Sequence, residues 1–274
     1  MRAGEELDAK VLLRILNDHN KRLDANVPHY SKKKLLPFYL RTKERDPQRW
    51  QAWNITPELE QQLVHLLQVK PRRSASGVAT ITVITKPWKC GGACIYCPND
   101  LRMPKSYLSD EPACQRAERN YFDPYLQVTS RLRALNQMGH VTDKIELIVL
   151  GGTWSDYPRA YQIWFITELF RALNDAGVER PGSLSPTTSF SSANARERRQ
   201  FYRDCGLSYE RDDLIAFTKA QQRLVDEGKL TYNEAMVNLY ETGEPWKAIA
   251  QHQHATLDEL EREHVRNEQA AHRV

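Results

Sequence analysis

The sequence predicts an α/β protein in which parallel strands alternate with helices. Two runs have the composition of strands, Val78–Thr85 and Lys144–Leu150. Apolar residues at helical spacing lie between and after them, over Pro112–Met138 with a break near Pro124, and over Ala160–Asn174. Strand, helix, strand and helix in this order are typical of a parallel βα repeat.

The two predicted strands differ in their composition. Val78–Thr85 is rich in β-branched residues, which favour strands. Lys144–Leu150 is almost continuously apolar, as are strands buried inside a parallel sheet. A glycine pair, Gly151 and Gly152, follows the second strand directly. Only two strands are evident, fewer than a closed βα barrel contains, so a barrel built from this repeat would be incomplete.

Helical segments flank this predicted core on both sides. Thr56 and Pro57 have the residue types of an N-cap and a first helical position, and leucines follow at helical spacing. From Glu197 onward the chain is highly charged and has a helical pattern. We therefore predict two domains: a helical, basic region over residues 1–75, and the α/β core with a helical C-terminal segment over residues 76–274.

The most informative motif is a loop with three cysteines, Cys90, Cys94 and Cys97, directly after the first strand. Three thiolates at this CxxxCxxC spacing suit an iron–sulfur cluster, and a four-iron cluster held by only three of them keeps one iron open to a small molecule. Gly91 and Gly92 in the first gap let the backbone wrap closely around the cluster.

Zinc and a disulfide are the two alternatives for these cysteines. A structural zinc site needs four ligands, and the other two cysteines, Cys114 and Cys205, stand alone in the sequence. A disulfide framework fits poorly with five cysteines and no signal peptide. We therefore interpret Cys114 and Cys205 as ordinary thiols.

Composition points to a soluble protein of a reducing compartment. The chain has 274 residues and a formal net charge of +4. It contains no apolar run of the roughly 18 residues that a membrane span requires, and its N-terminus is polar. A cytoplasmic location is the expectation, because a reducing compartment also suits unpaired thiols and an iron–sulfur cluster.

Positive charge is concentrated near the N-terminus. Residues 21–49 contain nine Lys or Arg against three Asp or Glu, and aromatic residues such as Tyr30 and Trp50 are interleaved with them. Cationic groups beside aromatic faces suit phosphate contact and base stacking on RNA; the alternative is a solvated helical face. The candidate RNA-binding residues are Lys32, Lys33, Lys34, Arg41, Lys43, Arg45, Arg72 and Arg73.

The cysteine loop and its neighbours carry a family resemblance. From Lys86 to Pro98 the chain resembles radical S-adenosylmethionine (SAM) enzymes. Three further motifs look like the catalytic subunit of Elongator and its bacterial and archaeal homologues, and the resemblance covers roughly Arg72 to Leu173. These motifs are Arg73–Ala79, Ser106–Pro112, and Gly139–Lys144 leading to Gly151–Thr153.

The resemblance implies a radical SAM transferase that modifies tRNA. Enzymes of this family attach a carboxymethyl group, made from acetyl-CoA, to C5 of the wobble uridine. By resemblance, Cys90, Cys94 and Cys97 would hold a four-iron, four-sulfur (4Fe-4S) cluster whose open iron binds SAM. An electron donor would reduce the cluster, and the resulting 5′-deoxyadenosyl radical would activate the acetyl group.

The resemblance also assigns roles to individual residues. Gly151, Gly152 and Thr153 match the glycine turn that approaches SAM in the family. Tyr96 matches the aromatic position beside the adenine, and Lys144 aligns with a lysine assigned to acetyl-CoA. The basic N-terminal segment matches the family's tRNA-binding region in position and character.

The chain departs from the family in its extent. The family's barrel needs about six βα units and is followed by an acetyltransferase-like domain, neither of which the residues after Cys97 provide. We therefore expect a truncated form, with an exposed sheet edge, whose remaining portion comes from a partner chain or from a missing C-terminal part. Two other functions remain open: a tRNA-binding module with a structural metal, and a radical SAM enzyme acting on another substrate.

Overall fold

The structure, a computed structural model, describes residues 8–24, 26–92, 94–176, 192–207 and 212–274. They form an α/β fold, as predicted, with two strands and mostly helices elsewhere. The elements are α1 Ala9–Asn20, α2 Lys32–Arg45, α3 Pro47–Gln51, α4 Pro57–Leu67, β1 Ala79–Ile84, α5 Pro112–Arg119, α6 Pro124–Gln137, β2 Ile145–Leu150, α7 Arg159–Asp175, α8 Ser192–Asp204, α9 Asp212–Asp226, α10 Tyr232–Met236, α11 Trp246–Ala250 and α12 Leu257–Asn267.

The described residues divide into two compact units. The first unit contains the chain up to Ala79 together with residues 132–144. The second unit contains residues 80–131, 145–176 and the described residues from 192 onward. The first unit thus includes residues 132–144, which the sequence analysis placed with the α/β core.

The first unit is helical and has its own core. Leu36, Tyr39 and Leu40 of α2 are buried against Leu67 of α4. The helix α4 begins where the sequence predicted, because the Thr56 side chain accepts a hydrogen bond from the Leu59 amide and Pro57 occupies the first helical position. The described residues of the N-terminal region are therefore mostly helical, and its role as a separate domain stays a prediction.

The two strands pair in parallel. The Ala79 amide donates to the Lys144 carbonyl, and the Thr85 amide donates to the Leu150 carbonyl. Both bonds join residues that are the same number of positions apart, so the strands run in the same direction and their carboxyl ends lie side by side. The loops that follow β1 and β2 consequently emerge at one end of the sheet.

The predicted burial of the second strand is wrong. Four of the five aliphatic side chains of β2 are at least partly exposed, and those of Ile148 and Val149 are 37% and 36% exposed. The sheet of the described residues has only two strands. Within the described part of the chain, no further layer covers the apolar run of β2 as a larger parallel sheet would. Whether this sheet is part of a barrel stays a prediction.

The break predicted inside the helix after the cysteine loop is confirmed. The helix α5 ends at Arg119, and Tyr121 and Phe122 adopt positive φ angles of 57° and 52°. Asp123 then caps α6 by accepting a hydrogen bond from the Leu126 amide at 2.8 Å. The turn ends one helix and starts the next just before Pro124.

The C-terminal segment is helical, as predicted, and packs within the second unit. Its last helix, α12, lies against α7, where the Asn174 side chain donates to the Glu263 carbonyl at 2.8 Å. Asn267 at the end of α12 donates to the Asn174 side chain at 2.9 Å. Among the residues that the structure describes, no helix is both long and apolar enough to cross a membrane.

Candidate functional site

The three predicted cluster ligands line one cleft at the carboxyl end of β1. The cleft has a volume of about 360 Å³ and belongs entirely to the second unit. All three cysteines are free thiols; Cys94 is exposed, and Cys90 and Cys97 are partly buried. The other residues lining it are Gly92, Ile95, Asn99, Lys105, Thr231, Tyr232 and Asn233.

The donor set of this cleft fits an iron–sulfur cluster better than zinc. No group of three or more Cys, His, Asp or Glu within the described part of the chain is already gathered as a metal site. The described lining of the cleft supplies three thiols and adds no histidine, carboxylate or fourth cysteine. A structural zinc site takes four protein ligands, of which the described lining supplies three, whereas a four-iron cluster binds with three thiolates and an open iron.

Polar contacts hold the start of the cysteine loop on two sides. The Gly91 amide donates to the Asp156 carboxylate at 2.6 Å. The Asn233 side chain bonds both backbone groups of Cys90, accepting from its amide and donating to its carbonyl, each at 3.0 Å. The Sγ of Cys90 lies 3.4 Å from the Oγ1 of Thr153. Thr153 thus lies beside the first cysteine, and its predicted role toward SAM stays a prediction.

The two glycines after β2 face different surroundings. A Cβ atom at Gly151 would overlap the Thr85 side chain at the end of β1. A Cβ atom at Gly152 would lie 3.7 Å from the Cβ of Lys105, which is ordinary contact. Gly151 is thus required by the packing of the two strand ends, and Gly152 faces a residue that lines the cysteine cleft.

A second cavity lies beside the glycine pair. Its volume is about 320 Å³. It adjoins the carboxyl end of β2, so the predicted cofactor-binding turn is bordered by this cavity and, through Lys105, by the cysteine cleft. The residues lining the second cavity are Thr85, Val149, Leu150, Gly151, Gly152, Trp154, Tyr157 and Ile166.

The structure does not gather all the predicted cofactor residues in one place. Tyr96 is 93% exposed, so its ring is not a packing residue of the loop. Lys144 directly precedes β2 and Gly151 directly follows it, so the two lie at opposite ends of that strand. To contact Lys144, acetyl-CoA would have to reach the amino end of β2. The acetyl-CoA role of Lys144 stays a prediction.

A buried lysine near the site was not noticed in the sequence. Lys86 follows β1, is 3% exposed, and donates from Nζ to the Gln253 side chain at 2.8 Å. Its Nζ also lies 4.8 Å from the ring centres of Trp88 and Tyr161. Burial lowers the pKa of Lys86 to about 7, although the nearby Glu241 carboxylate opposes the shift.

The candidate RNA-binding residues lie in the first unit and differ in accessibility. Six of them have exposed side chains: Lys33, Lys34, Arg41, Arg45, Arg72 and Arg73. Lys32 is half-buried. Lys43 is half-buried as well, forms an ion pair with Glu60 and lies 4.9 Å from the ring centre of Trp50. Lys43 therefore contributes to the core of the unit, and the exposed residues are better placed to contact a phosphate.

The cleft residues Lys105, Thr231, Tyr232 and Asn233 were missed by the sequence analysis. Thr231 and Glu234 form a capping box at the start of α10, a pattern that can be recognised in a sequence. The pattern locates a helix start, but it does not reveal that the helix meets a loop some 140 residues earlier. The charged C-terminal segment thus contributes one wall of the cleft.

The fold and the cleft together define an α/β protein with a three-cysteine loop at the carboxyl end of its first strand. No protein-family model matches the chain. Several curated proteins match part of the chain, and they confirm the resemblance to the Elongator catalytic subunit and its bacterial and archaeal homologues.

Several of these relatives are named tRNA uridine(34) acetyltransferase. The one from Methanocaldococcus infernus is 38% identical over 178 residues, covering 63% of this chain and 30% of the relative. The one from Dehalococcoides mccartyi is 40% identical over 159 residues, covering 58% of this chain and 33% of the relative. Elongator complex protein 3 of Danio rerio is 35% identical over 177 residues, covering 61% and 32% respectively. The chain thus spans about a third of the length of these relatives.

Proposed function

We propose that this chain carries the cluster-binding part of an enzyme that modifies uridine 34 of tRNA. One observation carries the proposal: three free thiols line one cleft at the end of β1, in a chain similar to proteins named tRNA uridine(34) acetyltransferase. The carboxyl ends of parallel strands are where α/β enzymes place their reactive groups.

The residues of the cleft have distinct roles in this proposal. Cys90, Cys94 and Cys97 hold a 4Fe-4S cluster. Thr153 lies beside Cys90, and Gly152 lies beside Lys105 of the cleft wall. When bound, the cluster supplies an electron that cleaves SAM and so starts radical chemistry. Asp156 and Asn233 fix the backbone of the loop, and Lys105 provides a positive charge at the cleft wall.

Exposed cations of the first unit supply the tRNA contacts in this proposal. Lys33 and Lys34 lie at the start of α2, and Arg72 and Arg73 lie in the short 3-10 turn over Pro71–Ser74. Phosphate contacts of this kind are electrostatic and independent of base sequence. The first unit therefore provides affinity for tRNA that does not depend on base sequence, and the uridine is selected at the reaction site.

Acetyl-CoA is the proposed co-substrate, on the basis of the acetyltransferase names of the relatives. Those relatives are about three times longer than the matching part. We propose that the acetyl-CoA-handling portion is supplied outside the residues described here. Cleavage of SAM is accordingly the step for which this chain itself carries residues.

The test is SAM cleavage by the anaerobically reconstituted chain. With a strong reductant, the wild-type protein should release 5′-deoxyadenosine and methionine, and Cys97→Ala should release neither. Cys205→Ala is the matched control, because Cys205 lies in the turn after α8 and outside the cleft. Equal product from wild type and Cys97→Ala, or none from a chain that retains its cluster, would refute the proposal.

A further inference from the structure

The helix α10, 143 residues away in sequence, holds the first cysteine in place. Asn233 is the second residue of this helix, and both polar atoms of its side-chain amide bond Cys90. The two bonds, to the Cys90 amide and carbonyl, are each 3.0 Å long. A side-chain amide that satisfies the donor and the acceptor of one residue fixes the position and the orientation of that peptide segment.

The start of α10 is itself well fixed. Thr231 and Glu234 form a reciprocal capping box, in which the Thr231 amide donates to the Glu234 carboxylate at 2.8 Å. The Tyr232 ring is packed under Lys105, whose Nζ lies 4.4 Å from the ring centre, and the Tyr232 hydroxyl donates to the Met103 carbonyl at 3.3 Å. Asn233 therefore projects from a helix turn that is anchored on both sides.

The opposite side of the loop has one comparable contact, from the Gly91 amide to Asp156. Together, Asn233 and Asp156 hold two successive residues at the start of the loop. Cys94 and Cys97, in contrast, are joined to each other by a turn, in which the Cys97 amide donates to the Cys94 carbonyl at 3.2 Å. Among the described residues, Cys90 is the loop cysteine whose backbone is bound by a side chain from another element, Asn233 of α10.

We propose that Asn233 is a positioning residue for the cluster, which orders the Cys90 backbone so that its thiol is directed into the cleft before the cluster binds. The inference rests on the proposed function, because it assumes that the three cysteines bind a cluster. It gives the charged C-terminal segment a specific task at the reaction site, which is to supply a second contact that keeps the cluster loop in its binding conformation.

The test combines two measurements on Asn233→Ala. In the metal-free protein, deuterium exchange of the peptide containing Cys90 should become faster on the order of tenfold, because the variant removes both hydrogen bonds. After anaerobic reconstitution, iron release to a chelator should be faster by a similar factor, and the electron paramagnetic resonance signal of the reduced cluster should change. Asn233→Asp, which retains only the acceptor, should fall between wild type and Asn233→Ala in exchange rate.

Asn238→Ala is the matched control. Asn238 lies in the same segment and bonds the Gln221 side chain at 3.0 Å, outside the cleft. The Asn238→Ala variant replaces the same residue type by alanine, so it reports the general effect of removing an asparagine from the C-terminal segment. The control should leave exchange at Cys90, iron release and the resonance signal as in wild type.

The outcomes separate this inference from the proposed function. If exchange at Cys90 in Asn233→Ala equals that of Asn238→Ala, or iron release and the resonance signal equal those of wild type, the inference is wrong although the proposed function stands. If exchange becomes faster while wild type itself binds no iron, Asn233 orders the loop but the proposed function fails, and the role toward a cluster fails with it.

Discussion

Gly151 and Thr85 meet at the carboxyl ends of the two strands, so closely that a Cβ atom at Gly151 would overlap the Thr85 hydroxyl. Thr85 is 1% exposed, and its hydroxyl is hydrogen-bonded to that of Tyr157 at 2.8 Å. Thr85 is therefore held in place and has little room to move aside. The two glycines after β2 thus differ: Gly151 is required by the packing of the strand ends, and Gly152 lies beside Lys105, which lines the cysteine cleft.

Replacing Gly151 and Gly152 separately should distinguish their contributions to stability. Gly151→Ala should lower the free energy of unfolding by about 1–3 kcal/mol, because the added methyl group overpacks a buried contact. Gly152→Ala meets only ordinary contact with Lys105 and should change stability by less than about 0.5 kcal/mol. Urea unfolding followed by tryptophan fluorescence measures both. Equal losses would show that Thr85 does not make the difference.

The buried Lys86 should make stability depend on pH. Burial lowers its pKa from 10.5 to about 7, so between these two values the unfolded chain holds a proton that the folded chain has released. The free energy of unfolding should therefore rise as pH rises from 7 toward 10, by up to about 1.4 kcal/mol per pH unit from this group. Below pH 7 both states are protonated and this contribution levels off.

Lys86→Met tests the effect, since methionine can pack against the same aromatic rings without a charge. Urea unfolding between pH 7 and 9.5 should show a flatter curve for Lys86→Met than for wild type. Lys247→Met, at an exposed position of α11, controls for loss of a lysine. Parallel curves for wild type and Lys86→Met would exclude the predicted contribution of Lys86.

The exposed apolar residues of β2, which point to both faces of the strand, should make the chain self-associate. Ile148 and Val149 are each more than a third exposed on this strand, and such surfaces pair with other chains. Val149→Lys should lower the fraction of dimers and larger species in sedimentation velocity. Val141→Lys changes an exposed valine outside the strand and should leave that fraction unaltered. A wild-type chain that stays monomeric at high concentration would contradict the prediction.

Charge reversal at the start of α2 should weaken tRNA binding. We expect Lys32, Lys33 and Lys34 changed together to Glu to abolish measurable binding, because the charge reversal removes three cations and adds three anions at the proposed phosphate contact. The control is a second triple change of the same charge, in which Lys219, Lys229 and Lys247 become Glu; all three are exposed in the second unit. Filter binding at several salt concentrations measures both proteins. Equal losses would mean that net charge alone, rather than the basic segment of α2, determines affinity.

Local patterns predicted the elements of this fold well. Both strands lie within one residue of their predicted ends, and Pro124 marks the observed helix break. Residue composition and turn chemistry act over a few residues, so they can be recognised in a single sequence. The cysteine loop was recognised for the same reason, because its three ligands are neighbours in the chain.

Long-range contacts could not be predicted in this way. The apolar run of β2 indicated a strand but not what covers it, and its burial was predicted wrongly. The bonds between Asn233 and Cys90 join residues 143 positions apart, and an asparagine within a charged helical segment gives no sign of them. The burial of Lys86 depends similarly on Gln253 from the C-terminal segment.

The most direct test of the account is the metal content of the cysteine loop. Iron, sulfide and zinc should be measured, with the visible absorption spectrum, on the anaerobically reconstituted chain beside Cys94→Ala and Cys205→Ala. About four irons and four sulfides per chain are expected in wild type and Cys205→Ala, and their loss in Cys94→Ala. One zinc without sulfide, or equal iron in wild type and Cys94→Ala, would contradict it.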